Sequence, residues 1–347
     1  MAKPVRVGFI GTGGIAGRQA QRLSQSKDVQ IVAGCDVSEE NLKKFADTYK
    51  VPRTFKDYHE LVQLKDLDAV SVCTPNYLHK DPTVAALKTG KHVLVEKPMA
   101  MNAVEAQAMV DAEKDSEATL TMGFQYRLSA DSQAIKRAAD AGRLGKPLFV
   151  RCQALRRRGI PSWGVFGRKE LQGGGPLIDI GVHIMECAHY LIGEPKPVAA
   201  SAQMFTYLGN KPPETACPWG PWDWKTYNVE DLAIGLIRFD NGAVMSVEAS
   251  FAAHLKDDVF NLQIMGEKGG CTLHPPVIFT DQDGVMVNVE AGFRGQWDSM
   301  DRKLDDWIAR IRGEKETQCP SEAGLMVQKM LDGLYESSEK GKEVKIK

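Results

Sequence analysis

A chain of 347 residues, 43% hydrophobic and 26% charged, is longer than one hydrophobic core usually organises, so two domains are expected. Lysine plus arginine number 44 against 45 aspartate plus glutamate, a net charge of -1 with no long block of one sign, which argues against nucleic acid or an anionic membrane as the main partner. The apolar run at 5–10 is too short for a signal-peptide core or a membrane span, and the seven cysteines are dispersed and never spaced Cys-x-x-Cys, so reduced thiols in a cytosolic protein are expected.

In chain order the first third alternates apolar strands with helical patterns: strand 5–10, a helix from Ile15, strand 29–35, a helix from Glu39, strand 69–73, a helix from Tyr77, strand 92–96, a helix from Asn102, strand 120–124. This rhythm predicts an α/β, doubly wound parallel sheet over residues 1–125. Val93, Leu94 and Val95 in a row suit a strand covered on both faces. After residue 125 come a helix at 132–141, a strand from Leu148, a helix at 177–191 and then mostly strands. Asp240-Asn241-Gly242 and Asp283-Gly284 are hairpin signals, so residues 126–347 are expected to form an α+β domain on a large antiparallel sheet. Helices at 299–312 and 322–338 close the chain, the last with a stripe of Leu325, Met326, Met330, Leu331, Leu334 and Tyr335 that reads as core.

Gly11-Thr12-Gly13-Gly14-Ile15-Ala16 fits Gly-x-Gly-x-x-Ala between a strand and a helix. Gly11 permits the turn, Gly13 lets backbone amides approach a pyrophosphate, and Ala16 allows close helix packing. Asp36 ends the second strand, where a carboxylate accepts from ribose hydroxyls and repels a 2′-phosphate; Val37-Ser38-Glu39 follow in place of an arginine, although Lys43 and Lys44 lie near. NAD is therefore expected over NADP. Cys73-Thr74-Pro75-Asn76 follows a strand end, where it either lines the cofactor or is an ordinary proline turn.

Glu96-Lys97-Pro98 closes another strand, at the end of the sheet where such folds bind ligands. Downstream, Gly173-Gly174-Gly175-Pro176 leads to Asp179 and His183, four apart on one helical face. A carboxylate in that place polarises an imidazole able to take a proton from an alcohol, and Lys97 supplies the positive charge for the oxygen. Glu186 and His189 continue the face, which leaves a metal site as a minor alternative; no metal is assigned.

Together, the Gly11 loop, Asp36, Glu96-Lys97-Pro98, Gly123-Phe124 with Arg127, and the glycine run ending at His183 resemble the glucose-fructose oxidoreductase, inositol dehydrogenase and MocA family along essentially the whole chain. The resemblance implies a Rossmann domain followed by an α/β domain with an open antiparallel sheet often used for oligomerisation, here as a dimer or tetramer. It implies a catalytic set of Lys97, Asp179 and His183, and an NAD-dependent oxidoreductase acting on a secondary hydroxyl of a sugar, glycoside or cyclitol. Gly14, Ile15, Thr74, Pro75, Asn76 and His79 join Gly11, Gly13, Ala16 and Asp36 as expected cofactor contacts, with Glu96, Lys97 and Trp163 at the nicotinamide end. A cis Lys97-Pro98 bond is also implied. Glu186 departs from the family, which commonly has Asp there.

Tyr126, Arg127, Arg157 and Trp163 are the expected substrate contacts beyond the catalytic set, with His254 behind them, although Arg156-Arg157-Arg158 reads more simply as a solvated basic edge than as a contact to cofactor phosphate or an acidic sugar. The irregular stretch 207–230 carries Trp219, Trp222 and Trp224, whose rings either stack on pyranose faces or pack on a neighbouring subunit. Two other functions stay open: a relative that retains NAD and uses transient oxidation to eliminate a glycosidic bond, and a non-catalytic sugar or dinucleotide sensor.

Overall fold

Runs of β-branched residues without polar alternation suit strands covered on both faces, and the computed structural model, which describes residues 3–292 and 294–347, gathers them into one six-stranded parallel sheet. Its elements are β1 (Val5–Ile10), α1 (Gly14–Leu23), β2 (Val29–Cys35), α2 (Glu39–Tyr49), β3 (Thr54–Phe55), α3 (Tyr58–Val62), β4 (Ala69–Val72), α4 (Lys80–Lys88), β5 (His92–Val95), α5 (Ala103–Lys114) and β6 (Leu120–Met122). The short β3 and α3 were not marked by periodicity. Strand order β3-β2-β1-β4-β5-β6 reverses between β1 and β4, so the loops after these strands flank the switch point where such sheets hold ligands.

The rest of the chain supplies α6 (Ala130–Asp140), β7 (Pro147–Leu155), α7 (Lys169–Gln172), α8 (Val182–Leu191), β8 (Pro197–Phe205), β9 (Leu232–Phe239), β10 (Val244–Ser250), β11 (Val259–Gly266), β12 (Gly269–Thr272), β13 (Val277–Gln282) and β14 (Val285–Glu290). They are followed by α9 (Ser299–Ile311), α10 (Ser321–Lys340) and β15 (Val344–Lys345). The second sheet has nine strands in the order β14-β13-β12-β11-β7-β10-β9-β8-β15. Both hairpin signals hold: Gly242 has φ +88° between β9 and β10, and Asp283 and Gly284, at φ +53° and +82°, turn β13 into β14.

One pair departs from the antiparallel expectation. The β9–β10 hairpin fixes the direction of β10, and β7, from a remote part of the chain, joins its free edge running the same way, with Cys152 opposite Val247. Alternation along β9 buries Ala233, Ile237 and Phe239 on one face while leaving Ile234 and Leu236 exposed on the other.

A later segment of the chain also returns to the first unit. The first unit comprises residues 1–125 and 298–325, the second 126–297 and 326–347. The reason lies in α9, which buries Leu304, Trp307 and Ile308 in the same core as Val5, Val7, Phe9, Ala16 and Ala20. α9 and the first turn of α10 thus belong to the Rossmann unit, where a Cβ on Gly324 would lie 2.8 Å from Met122 Sδ. The later turns of α10 pack within the second unit, where Ser337 Oγ accepts from Ala202 N at 2.9 Å. Among the described residues no helix is long and apolar enough to cross a membrane.

Candidate active site

In the first unit the Gly11 loop is shaped by clearance. A Cβ on Gly11, whose φ is +83°, would lie 2.7 Å from the Cys73 carbonyl, whereas Cβ atoms on Gly13 and Gly14 would meet nothing within 4 Å. Gly13 caps α1 with no side-chain hydrogen bond, so no capping side chain occupies the first amides of the helix. Asp36 braces this loop: its Oδ2 accepts from Thr12 N at 2.7 Å and Thr12 Oγ1 at 3.0 Å, and its Oδ1 from Ser38 N at 2.8 Å. The open ground beside Gly13 and Gly14, the bare helix end and the carboxylate at the end of β2 fit a dinucleotide. Ala16 is fully buried against the sheet, and Ile15 packs on the same core.

Two expected cofactor contacts have inward roles. His79 is buried, with its ring nitrogens 2.7 Å from the Pro98 carbonyl and 2.9 Å from that of Thr74, so it ties the loop after β4 to the loop after β5. Burial lowers its pKa. Glu96 is buried as well, and its Oε1 accepts from Gln19 Nε2 and Lys303 Nζ. Burial alone would raise the pKa of Glu96, but the Lys303 ammonium holds it below the usual carboxylate range. Pro75 is exposed, Asn76 is buried at the start of a short turn, and Thr74 Oγ1 donates to Leu78 O at 3.0 Å. The Lys97-Pro98 bond is cis and Lys97 is half-buried.

In the second unit, Asp179 and His183 are held by a tightly packed entry. A five-residue π-helical turn, Leu177–Gly181, runs directly into α8, a widening that often marks functional positions. A Cβ on Gly174 would sit 2.0 Å from Tyr335 Oη, and one on Gly175 2.0 Å from the Glu230 carbonyl, so both glycines are steric requirements. The buried Glu230 carboxylate accepts from Gly175 N at 2.9 Å, Leu177 N at 3.2 Å and Tyr335 Oη at 2.8 Å. Burial raises its pKa. Asp179 and His183 are only 6% and 9% exposed, and the Tyr126 ring meets the imidazole edge-on at 5.0 Å.

Arg127 is not a surface contact. It is 1% exposed, with Nε donating to Glu186 at 2.9 Å and Nη1 to Glu194 at 3.2 Å. Glu186 is thus a structural counter-ion, while His189 Nε2 lies 2.8 Å from Pro195 O and its ring stacks on Phe239. Arg157 also changes role: exposed at the end of β7, it donates from Nη1 to Lys256 O at 3.0 Å, and its N–H goes to Asp258. Arg158 reaches His254 at 3.1 Å.

The arginine that sequence reasoning passed over is Arg156. Its guanidinium lies 4.2 Å from the Trp219 ring and 5.5 Å from Phe251, and Trp219 in turn stacks on Trp163 at 5.5 Å. Burial lowers the pKa of this guanidinium against the pull of Asp179 and Asp258. Trp163, 57% exposed, ends the layered wall of Phe251, Arg156, Trp219 and Trp163. Trp222 instead is buried, with Nε1 donating to Gly209 O at 2.6 Å, so it packs the stretch from within.

Comparison with known proteins agrees with this arrangement at the level of family. A profile described as an oxidoreductase family with an NAD-binding Rossmann fold matches residues 5–124, and its C-terminal alpha/beta partner matches residues 136–346. The chain belongs to the Gfo/Idh/MocA oxidoreductase family. Among relatives, D-glucoside 3-dehydrogenase of Escherichia coli is 34% identical over 99% of this chain and 98% of its own. Myo-inositol 2-dehydrogenase of Thermotoga maritima is 27% identical, covering 89% and 86%. A solved levoglucosan dehydrogenase, in complex with NADH and levoglucosan, superposes with a TM-score of 0.82 at 25% identity, over 99% of this chain and all of that one. Membership makes this chain an NAD-binding oxidoreductase with the family's two-part architecture.

Proposed function

We propose that this Gfo/Idh/MocA protein is an NAD-dependent dehydrogenase that moves a hydride between nicotinamide and a secondary hydroxyl of a sugar, glycoside or cyclitol. The observation that carries the reading is that Asp179 and His183, four apart along the chain, are both buried, behind two sterically required glycines and with the Tyr126 ring against the imidazole. An imidazole beside a carboxylate is suited to taking a proton from a neutral alcohol near neutral pH. In this reading His183 accepts the hydroxyl proton, and Asp179 orients the ring and stabilises it once protonated. The Lys97 ammonium donates to the reacting oxygen as negative charge develops there.

The amides at the start of α1 hold the pyrophosphate and Asp36 the adenosine ribose, which favours NAD over NADP. NAD, when bound, takes up the hydride. The wall formed by Arg156, Trp219 and Trp163 offers a flat apolar surface with N–H donors at its edge, suited to a pyranose ring. Glucoside, levoglucosan and myo-inositol, the substrates named for the relatives, are all ring polyols, which supports this substrate class.

The test is an absorbance screen for NADH formation over monosaccharides, glycosides, anhydrosugars and inositols, run in parallel with NADP. Reduction of NAD by at least one ring polyol is expected. Tight NAD binding with no reduction across the panel would sink the proposal, and faster reduction of NADP would overturn the role given to Asp36.

A further inference from the structure

The Rossmann unit buries a lysine. Lys303, on α9, has no exposed surface, and its Nζ donates to Oε1 of Glu96, the residue before Lys97. The same oxygen accepts from Gln19 Nε2 at 2.7 Å, and Gln19 Oε1 accepts from Ser71 Oγ at 2.6 Å. A Cβ on Gly123 would come within 2.8 Å of the other carboxylate oxygen, so that glycine makes room for the pair. An apolar side chain of similar length would fill the place of Lys303 without desolvating an ammonium, so packing alone does not account for the charge.

Among the described residues, few charged and titratable groups face Glu96. They are Lys303 from α9, Lys97 on its own loop, His79 on the turn after β4 and Cys73 at the end of that strand. Burial lowers the pKa of His79, which keeps the imidazole neutral, and pushes that of Cys73 up to about 12, which keeps it a neutral thiol, so neither carries charge near neutral pH. Glu96 is left with two cations, one of which the proposed reaction needs.

We infer that Lys303 is a positioning residue for Lys97: by taking up the Glu96 carboxylate it keeps that group from capturing the neighbouring ammonium, so that Lys97 serves the reacting oxygen. The inference rests on the hydride-transfer role proposed for Lys97. It assigns to α9 a part in the reaction that acts through Glu96 and Lys97.

The test uses the full chain and a readout independent of any sugar. The Lys97 amine is titrated by its rate of acetylation with acetic anhydride across the neutral to alkaline range, with the labelled peptide measured by mass spectrometry. In Lys303→Met the freed Glu96 pairs with Lys97, and the labelling midpoint rises by about one pH unit or more. In Lys303→Met/Glu96→Gln it returns to the wild-type value. Because the single variant strands a buried carboxylate and can fail to fold, the charge-balanced double variant is measured beside it. The folded double variant is expected to keep kcat within about tenfold of wild type. A wild-type labelling midpoint in folded Lys303→Met overturns the inference. So does a loss of about a hundredfold or more in kcat in the folded double variant with NAD binding intact. Labelling shifts as expected without any polyol turnover would leave the coupling of Lys303, Glu96 and Lys97 standing and remove the dehydrogenase reading, and with it the purpose given to that coupling.

Discussion

Replacing Arg127 by methionine separates a structural cation from a substrate contact. The guanidinium is held by Glu186 at 2.9 Å and Glu194 at 3.2 Å and lies 4.8 Å from the Tyr190 ring. Methionine fills much of the same space, so the loss is chiefly electrostatic. Burial pushes the pKa of Glu186 up to about 7 even with Arg127 beside it, so without the guanidinium an ionised Glu186 is strongly disfavoured. Stranding one member of such a pair costs about 3–5 kcal/mol. Glu194, at the surface, adds little. For a unit of about two hundred residues, each kcal/mol lowers the melting temperature by about 2–4 °C, which gives a fall of about 6–20 °C. The assay is a double-mutant cycle of Arg127→Met, Glu186→Met and the two together, followed by thermal and urea unfolding. The double variant is expected to recover most of the loss, because an apolar pair of the same volume carries no stranded charge. A single variant that melts within about 2 °C of wild type, or a double variant no more stable than the single, refutes the argument. A raised KM at a temperature where Arg127→Met is folded would return Arg127 to the substrate.

Lys97→Met is expected to bind NAD with near wild-type affinity while kcat falls by about a hundredfold or more, measured by fluorescence titration and stopped-flow; unchanged turnover removes Lys97 from the mechanism. Asp36→Ala should narrow the preference for NAD over NADP, read as the ratio of the two kcat/KM values, and a ratio that stays constant would show that Asp36 does not select the cofactor. Stability should fall on acidification: the pKa of Glu96 is lowered in the fold, so its contribution is fully present above the unfolded value of about 4.3 and is lost as pH falls through the folded value. Urea titrations at a series of acidic pH values should show a shallower acid limb in Lys303→Met/Glu96→Gln than in wild type, and identical limbs would contradict the assignment.

Much of the first unit was legible because its signals are local. Gly11, Asp36 and the turn at Lys97 sit at strand ends, where the backbone itself dictates which residue fits. The Asp179 and His183 spacing was equally plain, but the clamp that holds it was not. Glu230 and Tyr335 lie far along the chain from Gly174 and Gly175, and only folding shows why those two glycines are needed. Arg156 and Arg157 are adjacent yet reach different surroundings, the first over the Trp219 ring and the second at Lys256 O, and no local signal in the sequence says which turns inward. Lys303 left a trace that went unread, since it stands four residues before Trp307 on the buried side of α9, where an apolar residue would be expected.

The return of α9 to the Rossmann unit orders events during synthesis. When residue 125 has left the ribosome, the first sheet has all six strands, yet the patch later covered by Leu304, Trp307 and Ile308 is bare and Glu96 has no cation from α9. Completion must wait while the whole nine-stranded sheet, apart from β15, is translated. The nascent Rossmann half therefore carries an apolar surface through that interval, the condition under which chaperone binding and aggregation compete with folding. A fragment ending at residue 125 retains that exposed surface permanently, and appending residues 298–325 through a flexible linker is the shortest repair the fold allows.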